Sequence, residues 1–387
     1  MKKIIALVLT IIITVSLASC SLLLDIAKEM PSSENTYTRI VDVNMIMQEV
    51  MQRGEKTFDF NIADVTEDDL AHMADHMSTF WGEPKEYLIN SIYRDIKNIV
   101  PDRNVDVMSV TNTFELSNNY YVYEYIRNGV PIPEEQTKAL EIANVLNDLH
   151  TEIFAASDGT EFGDTLAAHD WLVANLDYDE NVGGFTDENG SYGALVDRRT
   201  MCQGYAEALE LILRCYTDVT VIQVVGDARN RSESGVLSDW VGHAWNAVQI
   251  GGQWIHVDAT FDDPAGNPAG QVSHYYFGQN DTVMSEDHRW SKDHFPVCGG
   301  QDFLYFRNNG LFVPDFESFE ELVTNMLTDA KPVMMEIAAI DVVPDEENIQ
   351  FVFKANIDIE EIYWSNRDYK NINVISIEPS YFEEETE

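Results

Sequence analysis

Three side chains with complementary chemistry follow one another in the middle of the sequence. They are the cysteine Cys202, the histidine His243 and the aspartate Asp258. A thiol, an imidazole and a carboxylate are the parts of a nucleophile with its base and an orienting group. The sequence therefore predicts thiol-based acyl transfer, provided that the elements around these residues bring the three side chains together.

Cys202 is predicted to lie at the beginning of a helix. Apolar residues recur after it at Leu209, Ile212 and Leu213, which is the spacing of one helical face. Free N–H groups in the first turn and the helix dipole favour an anion, so we expect a lowered pKa for the Cys202 thiol. Gly204 has no side chain and allows a neighbouring group to approach closely.

His243 and Asp258 are predicted to lie on one β-hairpin. Residues 243–250 and 253–260 are strand-like, and the two glycines at 251–252 are a two-residue turn signal. Because side chains alternate between faces, this register makes Asp258 the diagonal neighbour of His243 on the same face. Their backbones should lie about 7–8 Å apart, a gap that a carboxylate and an imidazole can bridge.

Two further residues of this face, Trp245 and His256, are interpreted as supporting residues. A zinc interpretation would use Cys202, His243, His256 and Asp258, but no C-x-x-C or H-E-x-x-H spacing accompanies them. We therefore predict neither a metal nor another cofactor. The remaining histidines of this half are interpreted as ordinary loop or core residues: His274, His288 and His294.

The segment from about residue 160 to residue 300 resembles the transglutaminase-like superfamily, whose fold is papain-like. Several motifs in the same order carry the resemblance: 168–171, 178–179, 192–195, 202–206, 242–246, 254–264 and 273–277. The resemblance implies an α+β core in which the nucleophile helix packs on an antiparallel sheet. It also implies that Cys202 is the nucleophile, His243 its base and Asp258 the partner of that base.

Two supporting assignments are added around the nucleophile. The resemblance suggests Tyr192 as a contributor to the oxyanion site, and Gln203 follows the nucleophile directly. The expected substrate is a peptide or protein amide. Hydrolysis is favoured, because an exported site is wet and no lysine-binding channel is identified. A protein-glutamine transglutaminase and a non-catalytic binding or scaffold lipoprotein are the alternatives.

The N-terminus has the pattern of an export signal. A basic start at Met1–Lys3 precedes an apolar run at Ile4–Leu17, which is shorter than the about 20 residues of a membrane span. The run ends in a segment that resembles a bacterial lipobox with Cys20. We predict a signal peptide at residues 1–19, lipid modification of Cys20 and an extracytoplasmic protein anchored to the cell membrane. The alternative is an ordinary signal peptide with a buried or disulfide-bonded Cys20.

Composition narrows the class of partner. The 387 residues carry a formal net charge of −43, which argues against binding to nucleic acid. Nothing in the sequence indicates the oligomeric state. The chain has four cysteines. An oxidising compartment would allow a disulfide between Cys215 and Cys298, and the sequence leaves this open.

Regions on both sides of the core are predicted to be accessory α+β regions. The proposed segments are a tether at 20–37, an N-terminal region at 38–155, the core at 156–300 and a C-terminal region at 301–387. The predicted helices are 70–80, 87–99, 134–154, 166–176 and 316–330. The predicted strands outside the hairpin are 106–114, 120–126, 219–225, 303–306, 311–312, 333–340, 349–355 and 374–377.

Overall fold

The computed structural model describes most of the chain from residue 107 onward and three shorter pieces before it. The described residues are 36–37, 57–63, 89–97, 107–181, 187–230, 238–263, 271–292, 295–329, 332, 334–342, 351–352, 356 and 358–382. The predicted signal peptide, Cys20, the predicted helix at 70–80 and His294 lie outside them. Among the described residues, no helix is both long and apolar enough to cross a bilayer.

The chain divides into two compact units, and the first contains a four-stranded sheet. Its strands are β1 (Thr36–Tyr37), β2 (Thr57–Ala63), β3 (Ile89–Lys97) and β4 (Val107–Leu116), in the order β1-β2-β4-β3. Strand β4 confirms the strand predicted at 106–114. The helix predicted at 87–99 is wrong, because that segment forms β3. Its isoleucines have helical spacing, but β-branched residues also favour strands, and pairing with β4 decides the outcome.

The second unit begins with three helices. They are α1 (Asn118–Asn128), α2 (Thr137–Ile153) and α3 (Glu161–Asn175). The predictions at 134–154 and 166–176 are thus confirmed. Buried residues of all three helices belong to the hydrophobic cluster that also contains the helix after Cys202. The predicted boundary at residue 155 between an accessory region and the core stays a prediction.

The strand predicted at 120–126 is wrong, because this segment is the middle of α1. Its aromatic residues favour a strand, but its ends carry helix signals. The Ser117 hydroxyl accepts a hydrogen bond from the Tyr120 N–H at 3.2 Å and thereby caps the helix. At the other end Gly129 adopts a φ of 67°, the left-handed conformation that ends many helices.

The core consists of one helix packed on one antiparallel sheet, as predicted. The elements that build it are β5 (Asp177–Tyr178), β6 (Arg199–Thr200), α4 (Cys202–Tyr216), β7 (Val221–Ala228), β8 (Val241–Ile250), β9 (Gln253–Val257), β10 (Phe277–Gln279), α5 (Asp281–Met284) and β11 (His288–Trp290). The sheet order is β10-β9-β8-β7-β11, and every neighbouring pair is antiparallel. The fold is therefore α+β, and β7 confirms the strand predicted at 219–225.

Helix α4 is fixed to this sheet by polar contacts as well as by apolar packing. The Asn246 side chain donates a hydrogen bond to the Ala206 carbonyl at 3.0 Å, and Arg214 donates to the Val221 carbonyl at 2.8 Å. At Gly204 an added Cβ would lie 2.0 Å from the Thr200 hydroxyl, so only glycine permits this approach. The Asn246 contact holds the beginning of α4 against β8, the strand that carries His243, and the Arg214 contact holds its last turn against β7.

The C-terminal part of the second unit contains α6 (Leu304–Asn308), β12 (Phe312–Val313), α7 (Phe316–Asp329) and β13 (Met335–Ile340). Two long strands follow, β14 (Ile359–Tyr369) and β15 (Ile372–Tyr381), and the sheet order is β12-β13-β15-β14. Helix α7, β13 and β15 confirm three predictions.

Two strand predictions in this part are wrong. The segment predicted at 303–306 lies at the start of α6, and residues 351–352 are helical. Strand β14 was not predicted, because its mostly exposed side chains do not show a regular apolar alternation.

The disulfide that the sequence left open is not formed. Cys202, Cys215 and Cys298 are all free thiols. Cys215 lies in the cluster under α4, whereas Cys298 lies in a different hydrophobic cluster. The two buried cysteines are therefore small core residues, and Cys202 is only partly buried.

Candidate active site

Cys202 is the first residue of α4, where the sequence predicts it. Burial by itself would raise the pKa of the Cys202 thiol. The hydrogen bond and the charge of His243, together with the N–H of Ala244, nevertheless hold this pKa below the usual range of a thiol. The first N–H groups of a helix also lack partners within the helix and favour an anion. The position is thus suited to a thiolate.

The hairpin has the predicted register, and its second strand β9 ends at Val257, so residues 258–260 of the predicted strand lie beyond it. Strands β8 and β9 pair with Ile250 opposite Gln253, and the connecting glycines Gly251 and Gly252 have φ values of 59° and 76°. Positive φ at both central residues is the requirement of the tight turn that the two glycines predicted. The sequence therefore located the hairpin and the face that carries His243.

The structure brings His243 and Asp258 into direct contact. The distance between His243 Nε2 and Asp258 Oδ2 is 2.7 Å, and both side chains are buried. Burial would lower the pKa of His243, but the charge and hydrogen bond of Asp258, and then those of Cys202, raise it to about 10. A lowered thiol pKa beside a raised imidazole pKa favours the thiolate–imidazolium pair over the neutral pair.

Asp258 is held by four hydrogen bonds. Its Oδ1 accepts from the backbone N–H groups of Thr260 and Phe261, each at 3.1 Å. Its Oδ2 lies 2.7 Å from His243 Nε2 and 2.9 Å from His288 Nε2. Burial would raise the pKa of Asp258, but the charges and hydrogen bonds of His243 and His288 lower it strongly. The carboxylate is therefore ionised and fixed in orientation.

His288 is the site residue that sequence reasoning missed. It was interpreted as an ordinary loop or core histidine, yet it lies on the short strand β11 at the edge of the sheet. Its Nε2 contacts Asp258 and its Nδ1 lies 2.7 Å from Asp287 Oδ1. The contact of His288 with Asp258 depends on where the segment after β10 returns to β7, which local spacing does not specify.

Trp245 and His256 support the imidazole of the site. The Trp245 ring is stacked on His243 with centroids 5.8 Å apart and an interplanar angle of 20°. Its Nε1 donates to His256 Nδ1 at 3.0 Å, and His256 Nε2 lies 3.0 Å from Asp281 Oδ1. Burial lowers the pKa of His256. This ring is therefore neutral and fixes Trp245, which limits the tilt of His243.

The described hydrogen bonds of the other two predicted supporting side chains go to carboxylates. The Tyr192 hydroxyl lies 2.5 Å from Glu141 Oε2 on α2. The Gln203 amide donates to Glu207 Oε1 at 2.7 Å, one turn further along α4. Both side chains are therefore engaged by other residues, and their roles stay predictions.

Tyr178 lies on the thiol side of the site. It ends β5 and pairs with Thr200, two residues before Cys202. Burial first, and then the negative charge of Cys202, raise the pKa of Tyr178 to about 12. A half-exposed phenol that stays protonated is a hydrogen-bond donor available to a substrate beside the thiol. The sequence showed Tyr178 only as part of the resemblance.

A second histidine–carboxylate network includes Asp262, which follows Asp258 closely in the sequence. Its described side-chain contacts include none of Cys202, His243 and Asp258. His169 lies 3.2 Å from Asp262 Oδ2, and His274 lies 3.1 Å from Asp170 Oδ1 and 3.0 Å from Glu336 Oε2. Burial raises the pKa of Asp262 to about 7. Burial would lower the pKa of His274, but the hydrogen bonds of Asp170 and Glu336 raise it to about 9.

Three groups within the described part of the chain have metal-ligand side chains close together. They are His169 with Asp170 and His274, His243 with Asp258 and His288, and His256 with Asp281 and Cys298. In each group the ring nitrogens already form the hydrogen bonds given above. His256 Nδ1 accepts from Trp245, so a neutral His256 carries its proton on Nε2 and has no lone pair there for a metal. The predicted absence of a metal stays a prediction.

Comparisons with known proteins agree with the resemblance. Residues 149–259 match the family model of the transglutaminase-like superfamily. No curated protein matches the sequence. Among solved structures, the chain is similar to a TGase at 15% identity, covering 62% of this chain and 57% of that chain with a TM-score of 0.27.

A second similar structure is the periplasmic domain of TgpA from Pseudomonas aeruginosa. The identity is 18%, the match covers 42% of this chain and 56% of that chain, and the TM-score is 0.25. In both comparisons the chain spans less than two thirds of the other chain, and at these TM-scores neither likeness bears on function.

Proposed function

We propose that this protein is a cysteine-dependent acyl-transfer enzyme, and the match of residues 149–259 to the family model of the transglutaminase-like superfamily supports this. Cys202 is the nucleophile, His243 the general base and acid, and Asp258 the orienting group. One observation carries the proposal: Cys202 at a helix start is hydrogen-bonded to His243, whose Nε2 lies 2.7 Å from Asp258. This is the arrangement that thiol-based acyl transfer needs.

The reaction follows from the charges of these groups. The Cys202 thiolate attacks the carbonyl carbon of an amide, and the negative charge moves to the carbonyl oxygen. N–H groups at the start of α4 and the Tyr178 hydroxyl are the donors available to that oxygen. The His243 imidazolium gives its proton to the leaving amine, and an acyl-thioester forms on Cys202. His243 then takes a proton from the incoming water or amine, and the thioester is resolved.

We favour hydrolysis as the resolving step, so the proposed class is a peptidase or amidase acting on peptide or protein substrates. The alternative is transfer to an amine, as in a protein-glutamine transglutaminase. Products distinguish the two. New amino termini in a peptide substrate support hydrolysis, and incorporation of a labelled primary amine into a glutamine-containing protein supports transfer. If neither product forms, a binding or scaffold role replaces the enzyme.

Alkylation of Cys202 by iodoacetamide is expected to be fast already at neutral pH. The thiolate is the reactive form, and His243 lowers the pKa of Cys202. A His243→Asn variant loses this charge while burial of the thiol remains, so its pKa rises. At pH 6–7 we expect the alkylation rate of the variant to be at least about tenfold lower, the factor for one unit of pKa.

The chain contains internal controls for this measurement. Burial raises the pKa of Cys215 to about 12, and burial also raises that of Cys298, so both thiols should stay unmodified in the folded protein. Peptide mapping then assigns the label to Cys202. Wild-type alkylation with the rate and pH dependence of a free thiol would remove the enzyme proposal.

We also propose that the protein is exported and anchored to the cell membrane through lipid-modified Cys20. The basic, apolar and small-residue pattern of residues 1–20 supports this. A Cys20→Ser variant is expected to move from the membrane fraction to the soluble fraction and to lose lipid labelling. Two acyl chains are needed for stable anchoring, so the change in fractionation should be nearly complete. An unchanged membrane fraction in the variant contradicts the anchor.

A further inference from the structure

We propose that His288, which is held by Asp287, is a positioning residue. It fixes the Asp258 carboxylate and places a positive charge against its Oδ2. The inference rests on the proposed function of Cys202. It extends the series Cys202, His243 and Asp258 by two further side chains, those of His288 and Asp287. His288 acts through Asp258 and does not reach the thiol, so it differs in kind from His243.

The first argument is the pairing of both ring nitrogens. His288 Nε2 lies 2.9 Å from Asp258 Oδ2, and His288 Nδ1 lies 2.7 Å from Asp287 Oδ1. An ionised carboxylate only accepts hydrogen bonds, so both contacts need an N–H on His288. A neutral imidazole has one N–H and the imidazolium has two. The geometry therefore assigns a positive charge to His288.

The second argument is that the charges of the side chains from Cys202 to Asp287 are balanced within a buried part of the protein. From the thiol outward, the charges alternate as Cys202 negative, His243 positive, Asp258 negative, His288 positive and Asp287 negative. The side chains of His288 and Asp258 have no solvent exposure. Buried charges are stable only when each is paired and hydrogen-bonded. His288 thus adds a second positive charge at Oδ2 of Asp258, the oxygen that His243 also contacts.

The third argument is that the His288 ring is held in one orientation. Strand β11 pairs with β7, with His288 opposite Ala228. The ring meets Trp245 edge-on at 5.0 Å and Phe261 at 4.8 Å between centroids. Both aromatic rings also contact His243. The two histidines therefore share their packing partners as well as the Asp258 carboxylate.

Asp287, the last side chain of this series, contacts the C-terminal sheet. Asp287 Oδ2 accepts a hydrogen bond from the Tyr276 hydroxyl at 2.8 Å and from the guanidinium of Arg367 on β14. The C-terminal sheet therefore contributes a positive charge that holds Asp287, and Asp287 holds His288. This gives that sheet a direct structural link to the candidate active site.

The test compares two replacements of His288 by the pH profile of Cys202 alkylation in the full mature chain. His288→Gln keeps an N–H donor toward Asp258 but removes the charge, and His288→Leu removes both. We expect the half-maximal pH of alkylation to rise by about one unit in both variants, from the loss of one charge at this distance. Turnover of a peptide substrate should fall further in the leucine variant, by about 10- to 100-fold, because Asp258 is no longer held in place.

His274→Gln is the matched control. His274 is also a buried histidine between two carboxylates, but its partners are Asp170 and Glu336. Its replacement should lower the melting temperature as the His288 variants do and leave the alkylation profile at the wild-type position. A merely structural role for His288 predicts the same outcome for all three variants.

The outcomes separate the inference from the proposed function. An alkylation profile of wild-type Cys202 equal to that of a free thiol removes the proposed function and the inference with it. An enhanced wild-type profile that both His288 variants retain unchanged overturns only the inference. Histidine nitrogen NMR of the wild-type protein at pH 7 gives a test that needs no variant to fold. We expect both ring nitrogens of His288 to carry protons, and a neutral ring overturns the inference.

Discussion

A Cys202→Ala variant is expected to lose about 10⁶-fold in turnover of any substrate that the wild-type protein processes. The thiolate is the only atom group in the proposed mechanism that forms a bond to the acyl group, so no other side chain replaces it. Losses of this size follow removal of the nucleophile from a catalytic triad. Measurement of turnover and mass spectrometry of the trapped acyl-thioester check the result. The wild-type protein should gain the mass of the acyl group, and the variant should not.

The fold of this variant should be unchanged. Cys202 is only partly buried and lies in the first turn of α4, where alanine is a good helix former. Cys215→Ala on the same helix is the matched control, because Cys215 is buried in the core and touches no member of the triad in the described contacts. It should keep its turnover. Retained turnover in Cys202→Ala would show that the chemistry lies elsewhere.

The contact between His243 and Asp258 was predictable because it depends on local rules. Two adjacent glycines define a two-residue turn, the turn sets the register, and the alternation of side chains sets the face. The structure has this register and the 2.7 Å contact. The position of Cys202 at a helix start followed from apolar spacing alone. Sequence order and short-range geometry therefore sufficed for these three side chains.

The residues around Asp258 were not predictable in the same way. His288 reaches Asp258 from a three-residue strand 30 positions later, and Asp262 contacts His169 on α3, 93 positions earlier. Such contacts depend on the path of loops and on the packing of separate elements. Nothing in the spacing of one segment specifies them. A sign was nevertheless present, because histidines next to aspartates occur at His169–Asp170 and at Asp287–His288.

The two wrong assignments at 87–99 and 120–126 have opposite causes. In β3 the apolar spacing is helical, but pairing with a neighbouring strand overrides it. In α1 the aromatic composition favours a strand, but a serine cap at Ser117 and a glycine at Gly129 specify the ends of a helix. In α1 the capping signals outweigh the aromatic composition, and they are sufficient to identify the helix from the sequence.

An Asp258→Asn variant is expected to lose both activity and stability. Asparagine offers one oxygen and one NH₂ group in place of two acceptors. If its oxygen keeps the N–H groups of Thr260 and Phe261, its NH₂ group faces the donors of His243 and His288. We expect turnover to fall by roughly 10³–10⁴-fold, as when the orienting carboxylate of a triad becomes an amide. Unfolding should become easier by about 3–5 kcal/mol, the cost of breaking a buried charge pair.

The loss of stability should depend on pH with a definite sign. The folded-state pKa of Asp258 lies below its unfolded value of about 3.9, so the ionised carboxylate stabilises the fold above about pH 4 and less so as the pH falls further. His243 has the opposite sign, because its folded-state pKa of about 10 lies above its unfolded value. Its contribution is complete below about pH 6.5 and is lost as the pH rises toward 10. The difference between wild type and Asp258→Asn should therefore be largest between about pH 4 and pH 6.5.

Asp262→Asn provides the matched control for this experiment. Asp262 is also a fully buried aspartate in the same loop, but burial raises its pKa to about 7 and its partners are His169 and the Tyr276 N–H. An asparagine oxygen keeps the Tyr276 contact, and Asp170 stays in place as the carboxylate partner of His169 Nδ1. Denaturant unfolding across the pH range should therefore show a small loss for Asp262→Asn, without a maximum at pH 4–6.5, and unchanged Cys202 alkylation. Equal pH profiles of the two variants would show that Asp258 carries no buried charge pair.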